Sequence, residues 1–133
     1  MSILGLTKET EFKNEIEQRK KGEEQGAAMY AAASYLANEQ GLHEVSEVLM
    51  KIAIDELRHA GLYAIMNGQI SKDIFETIKK IEPIEVAAEF RLNDFAEKLT
   101  IVGEEVAEAV KSIAKDEANH GKKLKYLMEK YQK

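Results

Sequence analysis

The strongest constraint in this chain of 133 residues is the way charged side chains interrupt its apolar periodicity. Between residues 43 and 66 the apolar positions recur at alternating steps of four and three, the spacing of one buried helical face. That stripe consists of Val45, Leu49, Ile52, Glu56, His59, Tyr63 and Met66. Residues 104–131 repeat it with Val106, Val110, Ile113, Glu117, His120, Leu124, Leu127 and Tyr131. A carboxylate is costly to remove from water without a compensating partner, so both Glu-x-x-His pairs need an explanation.

Two further stripes each carry one carboxylate near the middle. One consists of Ile74, Ile78, Ile81, Glu85, Ala88, Leu92, Phe95, Leu99 and Val102. The other consists of Phe12, Ile16, Arg19, Glu23, Gly26, Tyr30, Ala33 and Ala37. Glu23 and Glu85 both lie 18 residues before a glycine, Gly41 and Gly103 respectively. Because Glu56 and Glu117 follow those glycines after 15 and 14 residues, the sequence predicts one helical hairpin used twice.

These patterns predict an all-α fold, a four-helix bundle built from two hairpins. The expected helices cover residues 8–40, 43–66, 71–102 and 104–131, with a break or kink near Pro83 in the third. Ser71 is the expected N-cap of that third helix. The whole chain, 1–133, is expected to form one domain, with hairpin repeats at about 8–66 and 71–131.

Composition excludes several classes of function. The absence of cysteine excludes disulfide scaffolds, iron–sulfur sites and thiol nucleophiles, so any metal must bind oxygen and nitrogen ligands. A net charge of −5 argues against nucleic-acid binding, which needs clustered Lys and Arg. No apolar run approaches the roughly 20 residues of a membrane span, and the first nine residues do not form a leader. The sequence therefore predicts a cytoplasmic protein that binds neither membrane nor nucleic acid.

The in-phase carboxylates and histidines form a candidate metal site. Residues three apart on a helix project toward a common point, and each Glu-x-x-His pair has this spacing. One Glu from each of two helices and Glu-x-x-His from each of the other two is the ligand set of di-iron and di-manganese carboxylate bundles. The predicted ligands are Glu23, Glu56, His59, Glu85, Glu117 and His120. Two divalent cations, four carboxylates and two neutral imidazoles sum to zero charge.

Several positions leave alternatives open. Glu24 competes with Glu23, and Glu82 or Glu89 replaces Glu85 if Pro83 shifts the helical phase. His43 is expected at the surface or in a cap.

Residues beside the predicted ligands suggest supporting roles. Asp55 and Asp116 precede two ligands and are hypothesised to orient the histidines, the alternative being exposed helix charges. Tyr30 either hydrogen-bonds a ligand carboxylate or belongs to the core.

On these residues the chain resembles the rubrerythrin-like branch of the ferritin-like proteins. Gly22-Glu23-Glu24-Gln25 is similar to the Gly-Glu-x-Gln of rubrerythrins, and Glu56 follows Glu23 at a similar distance of 33 residues. The segment 55–59, Asp-Glu-Leu-Arg-His, is similar to an element of other di-iron enzymes. The resemblance implies that Glu56 and Glu117 bridge two iron ions, and that Glu23 and Glu85 are terminal ligands. It further implies that the two histidines bind one iron each.

The implied activity is that of a non-haem di-iron oxidoreductase. It would reduce hydrogen peroxide, or dioxygen, with electrons from an external carrier such as rubredoxin. The alternatives are a ferroxidase and a non-catalytic protein that binds iron or manganese, and zinc is a further candidate metal. An external carrier is needed because rubrerythrins typically carry a four-cysteine rubredoxin-like domain, which this sequence lacks. Ala88 also stands where that family has an extra glutamate, so a simpler site with six ligands is expected.

The connection between the halves bears on the oligomeric state. A ferritin-like monomer needs a long crossover between its second and third helices, and only residues 67–82 are available. If 71–81 forms a climbing helix, it rises about 16 Å and returns to the level of the metal. If the third helix instead runs on from Ser71, the hairpins can exchange between subunits. The sequence thus predicts a homodimer, domain-swapped in the second case.

Overall fold

The computed structural model describes residues 2–132, which contain four α-helices and no strand. The helices are α1 (Lys13–Glu39), α2 (His43–Met66), α3 (Ile74–Leu99) and α4 (Glu104–Tyr131). Helices α1 and α2 pack together as hairpin 1, and α3 and α4 pack together as hairpin 2. The all-α prediction with two hairpins is therefore confirmed. The chain divides after Lys72 into two compact units. The single domain 1–133 stays a prediction, and Met1 and Lys133 lie outside the described residues.

Glycines end the first two helices by adopting backbone angles that other residues rarely reach. Gly41 follows α1 with φ of +77°, and Gly68 follows α2 with φ of +64°. In both turns the next amide reaches back five residues, from Leu42 to the Ala37 carbonyl and from Gln69 to the Ala64 carbonyl, each at 2.9 Å. These bonds satisfy carbonyl groups that the end of a helix leaves unpaired. The predicted ends of α1 and α2 therefore agree with the structure to within one residue.

The start of α1 differs from the prediction, because residues 8–12 form turns. The segment before α1 instead lies against the carboxyl end of α2. Gly5 N donates to Ile65 O at 2.9 Å and Thr7 N donates to Met66 O at 3.0 Å. The predicted helical start at residue 8 is wrong because Thr10 N and Lys13 N donate to carbonyl groups only three residues back, at Thr7 and Thr10, which is the pattern of turns.

Helix α3 corrects two further expectations. Its N-cap is Asp73, whose carboxylate accepts a hydrogen bond from Phe75 N at 3.0 Å, so the prediction of Ser71 as the cap is wrong. Pro83 lies inside α3 without ending it. The helix is therefore continuous from Ile74 to Leu99 and the expected break is absent, while the alternative of a kink near Pro83 stays a prediction.

Small residues form the line along which the helices of each hairpin touch. The buried apolar residues are all alanines: Ala27, Ala37, Ala53, Ala60, Ala96, Ala107 and Ala114. The larger side chains of the predicted stripes lie on a flank of each hairpin, where Val45 is 47% exposed and Ile113 is 48% exposed. Two helices alone bury only the strip between them, so each flank needs a further layer before it forms a core. Among the described residues, no helix combines the length and the apolar character that a membrane crossing requires.

Candidate metal centre

Hairpin 1 brings together group 1, which consists of Glu23, Glu56 and His59. One ligand atom from each lies within 4.8 Å of the other two. Glu23 comes from α1, while Glu56 and His59 come from adjacent turns of α2. His59 Nδ1 lies 3.4 Å from Glu23 Oε2, with the side chains 45% and 22% exposed. Three donors therefore converge on one point at the flank of the hairpin.

Hairpin 2 repeats this arrangement as group 2, which consists of Glu85, Glu117 and His120. Its ligand atoms also lie within 4.8 Å of one another. His120 Nδ1 lies 3.6 Å from Glu85 Oε2 and 3.8 Å from Glu117 Oε2. In both hairpins the histidine Nδ1 thus faces the glutamate of the preceding helix, as the sequence repeat implies.

Group 2 contains a buried oxygen without a hydrogen-bond partner, Glu85 Oε2. The pKa of Glu117 is raised above its ordinary value of 4.5, first by a side-chain hydrogen bond with Glu85 and then by partial burial. A hydrogen bond between two carboxyl groups needs a proton on one of them, and the raised pKa of Glu117 favours that proton on Glu117. A divalent cation would satisfy the same oxygens, because it neutralises both charges at once.

The donor chemistry of both groups fits a first-row metal ion. Carboxylate oxygen and imidazole nitrogen are ligands of iron, manganese and zinc. Each group alone offers three side chains, which is fewer than the four to six ligands that these ions usually take. Each group supplies half of the six side chains that a di-metal carboxylate site uses, and its donors fit one half of such a site.

The competing glutamates lie outside both groups. Glu24 is exposed on α1. Glu82 and Glu89 line a separate cleft of about 320 Å³ on hairpin 2, together with Lys122 and Lys125. Because α3 continues through Pro83, the helical phase favours Glu85 over both. The assignment of all six residues as ligands nevertheless stays a prediction.

The other residues singled out from the sequence have varied surroundings. Asp55 is 58% exposed and forms an ion pair with Arg58 at 3.1 Å, and Asp116 is also exposed. Their predicted role in orienting the histidines stays a prediction. Tyr30 is half-buried on α1. His43 is exposed and its Nδ1 lies 2.8 Å from Asn38 Oδ1, which confirms the expected surface position.

Sequence reasoning missed two glycines that shape the groups. A Cβ added at Gly121 would lie 3.0 Å from Val86 Cγ2 and 3.8 Å from Glu85 Cβ, so this glycine allows the close approach of α3 and α4. A Cβ added at Gly26 would lie 3.6 Å from the carboxyl carbon of Glu56. Both glycines lie inside a helix and within three residues of a predicted ligand, and this position is the signal that could have identified them.

The sequence also did not reveal a cleft of about 340 Å³ beside group 1. It is lined by Glu23, His59, Leu62, Tyr63 and Met66. The cleft gives a small molecule access to two of the three donors in group 1.

Comparison with known proteins gives two relatives. The chain is 35% identical over 129 residues to the uncharacterized protein MJ0746 of Methanocaldococcus jannaschii, covering 96% of this chain and 92% of that one. It is 28% identical over 114 residues to reverse rubrerythrin-1 of Clostridium acetobutylicum, covering 83% of this chain and 62% of that protein. No protein-family model and no solved structure matches the chain.

Proposed function

We propose that this chain, which belongs to the same family as the uncharacterized protein MJ0746, binds two metal ions through groups 1 and 2 and acts as a non-haem di-iron oxidoreductase. The observation that carries the proposal is the duplication of the donor set. Each hairpin assembles two glutamates and one histidine within 4.8 Å. Chance would not repeat three chemically matched residues at matched positions in both hairpins.

Charge supports two ions over one. Four carboxylates and two neutral imidazoles carry a charge of −4, which two divalent cations neutralise. One cation would leave two carboxylates close together without compensation, at a cost that grows with their burial. Glu85 Oε2 adds to this argument, since it is buried and forms no hydrogen bond with the described residues, with His120 Nδ1 3.6 Å away.

The proposed reaction is reduction of hydrogen peroxide to two molecules of water, which consumes two electrons and two protons. The residues of groups 1 and 2 would hold a pair of ferrous ions, which would supply two electrons and act as Lewis acids on the O–O bond. The protein residues hold the ions at fixed positions, and the cleft at Glu23 and His59 admits a small substrate. An external carrier such as rubredoxin restores the electrons. The similarity to reverse rubrerythrin-1 supports this class of reaction over simple metal storage.

We further propose that the metal centre joins hairpin 1 of one chain to hairpin 2 of a second chain. A ferritin-like bundle needs a crossover along its length, and α2 alone spans about 36 Å at 1.5 Å per residue. Residues 67–73 separate α2 from α3, but Gln69 is tied to hairpin 1 through Lys20 and Glu17, each at 2.6 Å. The remaining residues 70–73 reach at most about 18 Å. This length favours exchange of hairpins in a homodimer.

The first test is metal stoichiometry in variants of each group. We expect about two ferrous ions per chain after anaerobic loading, as in other di-metal carboxylate bundles. The double substitution of Glu23→Ala and Glu56→Ala should lose both ions, because each ion needs donors from both groups. Loss of one ion with retention of the other would show that each group binds alone. Glu24→Ala is the matched control, since Glu24 is adjacent but exposed, and it should retain two.

The second test addresses the reaction. Reduced, iron-loaded protein is mixed separately with peroxide and with oxygen, and the near-ultraviolet absorption of ferric carboxylate is followed with time. Faster oxidation by peroxide supports a peroxidase. Faster oxidation by oxygen supports a ferroxidase or oxidase, and no oxidation by either supports a metal-binding protein without catalysis.

A further inference from the structure

The cleft beside group 1 is lined by residues of different chemistry. Glu23 and His59 are predicted metal ligands. Leu62 and Met66 are apolar, and Tyr63 carries a hydroxyl. An ionised carboxylate only accepts hydrogen bonds, and a histidine that binds a metal has one ring nitrogen occupied. Among the residues that line this cleft, Tyr63 is therefore the one that is not a predicted ligand and can donate a hydrogen bond to a molecule inside it.

The hydroxyl of Tyr63 has no partner of its own in the described part of the chain. Tyr63 is half-buried on α2, one helical turn beyond His59 and on the same side of the helix. Within residues 2–132 its hydroxyl forms no hydrogen bond. Tyrosine hydroxyls that are removed from water usually find a hydrogen-bond partner. A molecule in the adjoining cleft would supply one.

The internal repeat shows that the fold does not need this hydroxyl. The shift of 61 residues that relates Glu56 to Glu117 also relates Tyr63 to Leu124. Both side chains are half-buried at corresponding positions of their hairpins. Because leucine occupies the position in α4, packing of a hairpin gives no reason for a hydroxyl there. A ligand in the cleft beside group 1 does give a reason.

The cleft is suited to a small molecule of low polarity. Its volume is about 340 Å³, and the side chains of Leu62 and Met66 contribute apolar walls. Pockets for small molecules are typically apolar with a few placed polar groups that fix the orientation of the ligand. The oxygens of a peroxide accept hydrogen bonds, so the hydroxyl of Tyr63 is a polar group of the kind that would orient it.

We infer that Tyr63 is a substrate-binding residue, whose hydroxyl donates a hydrogen bond to a small oxygen-containing molecule, such as a peroxide, in the cleft beside group 1. Hairpin 1 then supplies the substrate side of the centre, since hairpin 2 has Leu124 at the corresponding position, which cannot donate. The inference rests on the proposed function, because the donors of group 1 must hold a metal ion for the cleft to be a reaction site.

Azide is the probe for the first test, because it is a small anion that binds ferric centres and accepts hydrogen bonds without being reduced. Iron-loaded, oxidised protein is titrated with azide, and the visible absorption gives the dissociation constant. We expect Tyr63→Phe to raise this constant by about fivefold or more, the effect of losing one hydrogen bond. Tyr35→Phe is the matched control, since Tyr35 is 66% exposed and does not line the cleft. It should bind azide as the wild type does.

Tyr63→Leu is a second variant, which copies the residue of hairpin 2. It should weaken azide binding to the same extent as Tyr63→Phe, because both variants lack the hydroxyl. The KM for peroxide should rise by a similar factor in both. Iron content and helix content are measured on the same samples, and both should stay at the wild-type level.

Azide binding within about twofold of the wild type in Tyr63→Phe, with iron retained, would overturn the inference and leave the metal centre standing. Loss of iron in this variant would also overturn it, because Tyr63 would then support the metal and not the substrate. Equal weakening in Tyr35→Phe would contradict a role specific to the cleft. A wild-type chain that binds no iron would refute the proposed function, and the inference with it.

Discussion

At the scale of single residues, the position of group 2 depends on how closely α4 approaches α3 at Gly121. Alanine in a helix interior is normally more stable than glycine by about 0.5–1 kcal/mol. At position 121 the new Cβ would lie 3.0 Å from Val86 Cγ2, and valine on a helix has one strongly preferred rotamer. Overpacking of this kind typically costs about 1–3 kcal/mol.

We therefore expect Gly121→Ala to lower the melting temperature and to weaken iron binding, because α4 carries both Glu117 and His120. Gly22→Ala is the matched control, since a Cβ there meets nothing within 4 Å. It should raise the free energy of unfolding by about 0.5–1 kcal/mol. Thermal unfolding of the metal-free proteins measures both effects. Stabilisation by the two substitutions alike would show that the helices are not in close contact.

The raised pKa of Glu117 should appear in the pH dependence of stability. The hydrogen bond that the protonated Glu117 carboxyl donates to Glu85 raises the pKa of Glu117 in the folded protein, so the folded state binds more protons than the unfolded state. Stability from this group is therefore complete below pH 4.5, the ordinary pKa, and is lost as the pH rises through the raised pKa. Glu117→Gln should flatten this part of the profile. Urea unfolding of the metal-free protein measures this dependence, and an identical slope in wild type and variant would contradict the raised pKa of Glu117.

At the scale of elements, the segment before α1 is held to α2 by a buried amide. Asn67 is 3% exposed, accepts a hydrogen bond from Thr7 Oγ1 at 2.6 Å and donates to Lys13 O at 3.0 Å. Asn67→Ala leaves these partners unsatisfied, so we expect a loss of about 1–3 kcal/mol. Thr100→Ala, which removes an exposed bond to Glu97 O, should cost less than about 0.5 kcal/mol.

Hydrogen exchange locates the effect of Asn67→Ala. The amides of Gly5 and Thr7, which bind the end of α2, should lose protection before the amides within the helices do. Protection of both amides at the wild-type level would mean that the segment is held by contacts other than Asn67.

The helix ends that sequence predicted well are those fixed by local chemistry. Gly41, Gly68 and Gly103 lie between periodic stretches, and α2 and α4 match their predicted ranges at both ends. The start of α1 was missed because residues 8–12 form turns after a segment whose Gly5 and Thr7 amides bind α2, and local patterning does not reveal a contact between segments some 60 residues apart. Asp73 replaced Ser71 as a cap since either side chain can accept the bond, and only the backbone decides which one does.

Groups 1 and 2 could be predicted from periodicity because a Glu and a His three residues apart lie on the same face of a helix, whatever packs against that face. The prediction of Glu85 as a ligand depended on an unchanged helical phase across Pro83, and α3 continues through Pro83. The stripes predicted to be core turned out to be flanks, for a reason that periodicity does not reveal. Alanines such as Ala53 and Ala114 lie buried between two helices, and the larger apolar residues are exposed on the flanks, where a further layer would have to cover them.

At the scale of the whole molecule, the question is which chain completes each metal centre. Two variants separate the possibilities: one with Glu23→Ala and Glu56→Ala, and one with Glu85→Ala and Glu117→Ala. If hairpins exchange, a mixed dimer contains one centre with both groups intact and one with neither. Random pairing makes half of the dimers mixed, so refolding the variants together should restore about a quarter of the wild-type iron.

Each variant refolded alone is the control, and it should bind almost no iron. Iron counted after desalting, with circular dichroism to confirm helix content, measures the result. If hairpins 1 and 2 of the same chain form the centre, mixing restores nothing, because every chain carries one damaged group. That outcome would refute exchange while leaving both groups as ligands. The short connection after Gln69 makes the restored quarter the expected result, since the four residues from 70 to 73 cannot run the length of α2.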